Sequence, residues 1–156
     1  MDEHEKFMRK AISLSIQNIE RGGGPFGAVI VKDGRIVANG VNRVTAVNDP
    51  TAHAEISAIR KAAKKLGTFS LEGCTLYTSC EPCPMCLGAV YWAHFDRLFY
   101  ANTKSDAKKI GFDDSFIYDE IELNPSERSI KTVRLLPEEA IRAFEFWNEK
   151  DDKIEY

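Results

Sequence analysis

Within the eight residues Ser79-Cys80-Glu81-Pro82-Cys83-Pro84-Met85-Cys86 this chain has to end a strand, begin a helix and bring three thiols close together. The preceding stretch CTLYTS (74–79) reads as a strand, its Leu76 and Tyr77 suited to a buried sheet. Pro82 and Pro84 then open a helix that runs to about Ala93. Cys83 and Cys86 fall at positions i and i+3 of that helix start, a spacing that turns both side chains to one face. The partial positive charge of a helix N-terminus also favours the thiolate form that a metal requires.

The rest of the chain supplies a frame for this corner. Residues 3–20 carry Phe7, Ala11 and Leu14, and Met8, Ile12, Ile16 and Ile19, at helical spacing, up to a stop at Arg21-Gly22-Gly23-Gly24. Two short β runs, 27–31 and 35–39, flank Lys32-Asp33-Gly34, and an Asp-Gly in that place signals a hairpin. A polar loop over 40–50 leads to Thr51, an expected N-cap for a helix through Leu66 that Gly67 closes. RLFYA (97–101) follows the cysteine helix as a further strand. This short alternation of strands and helices implies parallel pairing through helical crossovers. Beyond it, residues 111–121 read as a loop and short helix, 130–135 as an edge strand, and Pro137 as the start of a last helix. Ala140, Ile141, Phe144 and Trp147 share one face of that helix. The fold expected is α/β, one domain over 1–156.

Hydrophobic residues make up 44% of the 156-residue chain and charged residues 29%, a soluble mixture with room for one core. No apolar run approaches the roughly 20 residues that span a bilayer. The charged start MDEHEKFMRK lacks an apolar signal core, so the expected address is cytoplasmic. Thiols stay reduced there, and four cysteines point to metal or redox chemistry before disulfides. The net charge of −3 argues against a phosphate-binding surface and toward a small-molecule substrate. Arg60, Lys61, Lys64 and Lys65 form a basic cluster that reads as a solvated helix face.

Zinc takes His nitrogen and Cys thiolate, and His53 stands near the start of the helix before the cysteine helix. Successive crossover helices of a parallel sheet open at the same edge, so His53 can meet Cys83 and Cys86 across thirty positions. Cys80 lies before an extended Glu81, up to roughly 10 Å along the chain from Cys83, and reads as a buried or loop thiol. Three protein ligands leave zinc an open position, where a bound water reaches a pKa of about 7. Glu55 is the candidate to move its protons. Residues i and i+2 within a helix face nearly opposite ways, however, so Glu55 can join His53 only if the first turn is open.

His53-Ala54-Glu55 followed by Pro82-Cys83-Pro84-Met85-Cys86 resembles the zinc signature of the cytidine-deaminase superfamily. Further segments (23–34, 48–62, 76–93, 112–121 and the final Glu155-Tyr156) resemble its small bacterial guanine deaminases. The resemblance implies a three-layer α-β-α fold with a mixed central sheet flanked by helices. It implies Zn2+ on His53, Cys83 and Cys86, whose hydroxide attacks C2 of guanine while Glu55 shuttles the proton. The products are then xanthine and ammonia. By the same resemblance Phe26, Asn42, Ala54, Asp114 and Tyr156 contact the purine. Without it, Asn42 reads as a turn residue, Asp114 as a surface acid, Phe26 as a core residue and Tyr156 as a frayed end. A homodimer that exchanges its C-terminal segments is also implied, Tyr156 closing the partner's site. The competing readings are a tRNA adenosine deaminase, a cytosine or other nucleobase deaminase, and a structural zinc module in which Cys80 completes a Cys3His site.

Overall fold

The computed structural model describes residues 2–156, which divide into two compact units, 2–114 and 115–156. The first begins with α1 (Glu3–Glu20), capped by the Asp2 carboxylate, which accepts from the His4 backbone N–H. It is followed by the hairpin β1 (Gly27–Lys32) and β2 (Arg35–Val41). Asp33 and Gly34 both take positive φ in its turn, the backbone that an Asp-Gly pair makes accessible. Next come α2 (Val44–Val47), α3 (Ala54–Leu66), β3 (Cys74–Cys80), α4 (Pro84–Trp92), β4 (Arg97–Asn102) and α5 (Lys104–Lys109).

The sheet order is β2-β1-β3-β4. β1 runs antiparallel to both β2 and β3, and β3 runs parallel to β4. β2, β3 and β4 therefore point the same way, as the strand–helix alternation implies, and β1 is the reversed strand between them. The sheet is mixed for that reason, and α3 and α4 both start from the C-terminal edge of the parallel strands.

Every residue of β3 is buried, so both faces of this strand are covered. On one face Tyr77 joins Val29, Val31, Phe7 and Ala11 beneath α1. Tyr77 stacks on Phe99 with ring centroids 5.1 Å apart, and its hydroxyl meets His4 Nδ1 at 2.7 Å. On the other face Cys74 and Leu76 pack with Ala54, Ala58, Ala62 and Val90 of α3 and α4. Small residues line α3 because the helix lies close to β2. A Cβ on Gly40 would run into the Ala54 carbonyl and the Ala58 amide, so only glycine fits there.

Several expected boundaries shift. α3 starts at Ala54 with His53 as its N-cap, because the Thr51 hydroxyl and amide both bond to Asp49 Oδ1, at 2.7 and 2.8 Å. Thr51 is thus held in the preceding turn. The loop over 40–50 contains α2, and α5 was not anticipated, although Thr103 and Asp106 form a reciprocal capping box at its start. In the second unit, α6 (Ser115–Glu122), a 3-10 turn (Pro125–Glu127) and α7 (Pro137–Glu149) are the regular elements. Ser129 N–H donates to Glu120 Oε2 at 2.8 Å, and Arg128 Nε to the Glu120 carbonyl at 3.1 Å. The edge strand expected over 130–135 does not form. No other strand lies in this unit among the described residues, and a strand without a ladder partner is not stable. No helix among the described residues is long and apolar enough to cross a membrane.

The fit of α3 over Gly40 carries a direct expectation. Gly40→Ala should lower stability by about 1–3 kcal/mol through overpacking. A fall in thermal midpoint of several degrees, measured by calorimetry, checks it, and an unchanged midpoint would mean that α3 yields at no cost.

Candidate metal centre

His53 and Cys83 occupy equivalent places: each is the extended N-cap of a helix leaving the same sheet edge. Cys86 is one turn into α4 and fully buried. His53 Nδ1 lies 3.5 Å from Cys83 Sγ and 3.5 Å from Cys86 Sγ, and one ligand atom from each residue falls within 4.8 Å of the other two. Zinc–sulfur and zinc–nitrogen bonds of about 2.3 and 2.0–2.1 Å at a tetrahedral angle separate ligand atoms by roughly 3.5 Å. The three side chains thus fit Zn2+ in spacing and donor type.

The thiols already share their protons unequally. Hydrogen bonding from the Cys86 thiol, and then from His53, holds the Cys83 thiol down to about 4. Cys86 is pushed far up by that same bond, by burial and by the Glu55 carboxylate. Hydrogen bonding to Cys83 raises His53. Cys80 stands apart. It is buried, its Sγ lies 3.8 Å from the Thr103 carbonyl, and burial pushes it to about 11, the state of an inert thiol.

Glu55 is only 6% exposed. The constraint on i and i+2 positions does not apply, because His53 precedes the helix and Glu55 belongs to its first turn. Glu55 Oε1 accepts from the Thr78 hydroxyl at 2.8 Å, and Oε2 accepts from Cys86 Sγ at 3.4 Å. Burial raises its carboxyl above the usual carboxylate range, against the bond from Thr78, which lowers it. Thr78 had no motif to announce it; the one cue was a hydroxyl in the buried row Cys74, Leu76, Thr78, Cys80.

The remaining candidates differ in their settings. Asn42 is a turn residue, its Oδ1 accepting from Val44 N–H at 3.2 Å and its carbonyl from Asn18 Nδ2 at 2.9 Å. Phe26 packs partly into the core and meets Phe112 edge to face at 5.0 Å. Ala54 is fully buried between His53 and Glu55. Asp114 is half-buried, and burial followed by the nearby Cys83 raises its carboxyl. Tyr156 is 72% exposed in the second unit.

Residues 1–102 match the cytidine and deoxycytidylate deaminase zinc-binding region. The chain belongs to that family. It is 54% identical to guanine deaminase of Bacillus subtilis over 98% of this chain and 99% of the relative. The crystal structure of a Bacillus subtilis guanine deaminase superposes with a TM-score of 0.95, covering 98% of each chain. A tRNA-specific adenosine deaminase of Agrobacterium fabrum is 45% identical, over 64% of this chain and 66% of its own length. The family's fold is the α/β arrangement described above, and Zn2+ is the cofactor that the His/Cys/Cys cluster fits.

A metal must displace the proton that Cys86 retains and find His53 neutral. Zinc affinity should therefore weaken as pH falls, because the raised His53 and Cys86 hold their protons more firmly. Calorimetric titration of the metal-stripped protein near pH 7.5, in buffers of different ionisation enthalpy, should show about one proton or more released per zinc. Uptake with no proton release would exclude Cys86 as a ligand.

Proposed function

We propose that this chain is a guanine deaminase, hydrolysing guanine to xanthine and ammonia. The observation that carries the reading is the full-length correspondence with a guanine deaminase, which takes in the second unit as well as the zinc-binding region. In this reading His53, Cys83 and Cys86 hold Zn2+. Bound there, zinc acidifies a water to a pKa of about 7, so that it can attack at neutral pH.

The chain's own groups do the rest. Glu55 carries two protons in turn: one from the attacking water to a ring nitrogen, then one from the hydroxyl now on C2 to the amine. The amine leaves as ammonia as the C–N bond breaks and the C2 carbonyl forms. A carboxyl raised by burial suits both directions of transfer. The Asn42 amide can donate and accept along the purine edge, and the Asp114 carboxylate accepts from guanine N–H groups. Phe26 offers an aromatic face for the base, and Ala54 completes the wall between His53 and Glu55.

The reading includes a cytoplasmic homodimer that exchanges C-terminal segments, Tyr156 closing the partner's site. Two features support the association of subunits. α7 buries none of its residues, although Ile141, Phe144, Phe146 and Trp147 are all apolar. α4 leaves Tyr91 75% and Trp92 66% exposed, large aromatic areas of the kind that mark an interface.

A spectrophotometric panel of guanine, adenine, cytosine and their nucleosides, with ammonia release in parallel, tests the substrate. Guanine should be consumed at least about tenfold faster than any other member, a ratio that a few polar contacts supply. Preference for adenine or adenosine, or for cytosine or cytidine, would overturn the reading. The exchange has its own test in mixed dimers, one chain lacking Tyr156 and the other carrying Glu55→Gln. Activity restored across subunits is expected, since one site then holds both groups; a heterodimer as inactive as its parents would rule the exchange out.

A further inference from the structure

We propose that Thr78 is a positioning residue that separates the roles of the two Glu55 oxygens: its hydroxyl fixes Oε1, and Oε2 alone carries the moving proton. The inference rests on the reading of Glu55 as the carboxylate that moves protons in guanine deamination. It starts from the face of β3 turned toward α3, where Cys74 and Leu76 join the alanines of that helix in an apolar layer. Thr78, next in the row, is fully buried, and valine would fill the same volume. Its hydroxyl spends its proton on Glu55 Oε1, 2.8 Å away.

Three features make that hydroxyl a fixed point. Thr78 sits in a central strand, paired with Ala28 on one side and Tyr100 on the other, so its backbone has no freedom to shift. Its β-branched side chain is stiff at χ1. Its partner, Glu55, is buried in the first turn of a packed helix. A carboxylate that can rotate presents either oxygen; one held by a donor at Oε1 presents Oε2, which already faces the Cys86 thiol at 3.4 Å. The hydrogen bond also survives proton uptake. With the proton on Oε2, Oε1 remains a carbonyl-type acceptor, so the same donor holds the group in both states of the reaction.

Thr78→Val removes the hydroxyl and keeps the shape, Thr78→Ser keeps the hydroxyl, and both are compared alone and with Glu55→Gln. The Val variant should keep full zinc and a guanine KM within about threefold, while kcat falls about 10–100-fold, the scale of one lost buried hydrogen bond to a charged group. The Ser variant should recover kcat to within about threefold, and Thr78→Val added to Glu55→Gln should change the residual kcat by less than about twofold, as for groups acting as a unit. If Thr78→Val is recovered only as aggregate, Thr78→Ala replaces it with the same expected outcomes. Wild-type kcat in the Val variant, zinc loss in step with kcat, or equal losses in the Val and Ser variants would overturn the assignment. So would a second full loss on the Glu55→Gln background. Near wild-type turnover by Glu55→Gln alone would instead remove the reading on which the proposal stands.

Discussion

α3 reaches its place only because Gly40, within β2, carries no side chain. Ala54 and Ala58 then lie directly against the strand, and the helix cannot be lifted without opening the core around Leu76. That close seating decides where the helix begins, and so where its N-cap residue stands. Since β2 and β3 run in the same direction, the helices that follow them start at one edge, and His53 meets Cys83 and Cys86. A metal centre assembled from rigid helix starts is held more closely than one built on loops.

The same seating buries Glu55, and burial does two things to it. It raises the carboxyl's proton affinity, and it makes the few polar neighbours decisive, because an unpaired buried charge is costly. Thr78 and the Cys86 thiol are those neighbours. One comes from the sheet and the other from the cysteine cluster, and once a metal displaces the Cys86 proton, the Thr78 hydroxyl is the donor that remains. Cys80, although next to this region in sequence, faces the Thr103 carbonyl and stays a protonated core thiol.

Much of this was legible in the residues. Asp33-Gly34 announced the hairpin and Gly67 the end of α3, because both demand a backbone that few other residues adopt. The clustering of His53, Cys83 and Cys86 was legible because a metal restricts residue types and spacing together. The start of α3 was misread at Thr51, where a side-chain bond to Asp49 outcompeted the capping role. That single shift also dissolves the difficulty over His53 and Glu55, which concerns only residues inside a helix. The expected strand over 130–135 failed for another reason: a β-prone run is stable only where a ladder partner pairs with it. Thr78 was invisible because a buried threonine in a strand looks like any other β-branched residue until its partner is known.

The central claim is a three-ligand zinc centre of one nitrogen and two sulfurs, with Cys80 outside it. X-ray absorption at the zinc edge of the loaded protein measures this directly. The account predicts two sulfur neighbours at about 2.3 Å and two lighter neighbours at about 2.0–2.1 Å, one from His53 and one exchangeable. A shell of three sulfurs and one nitrogen would contradict it, since Cys80 would then close the site and leave no position for the reacting water.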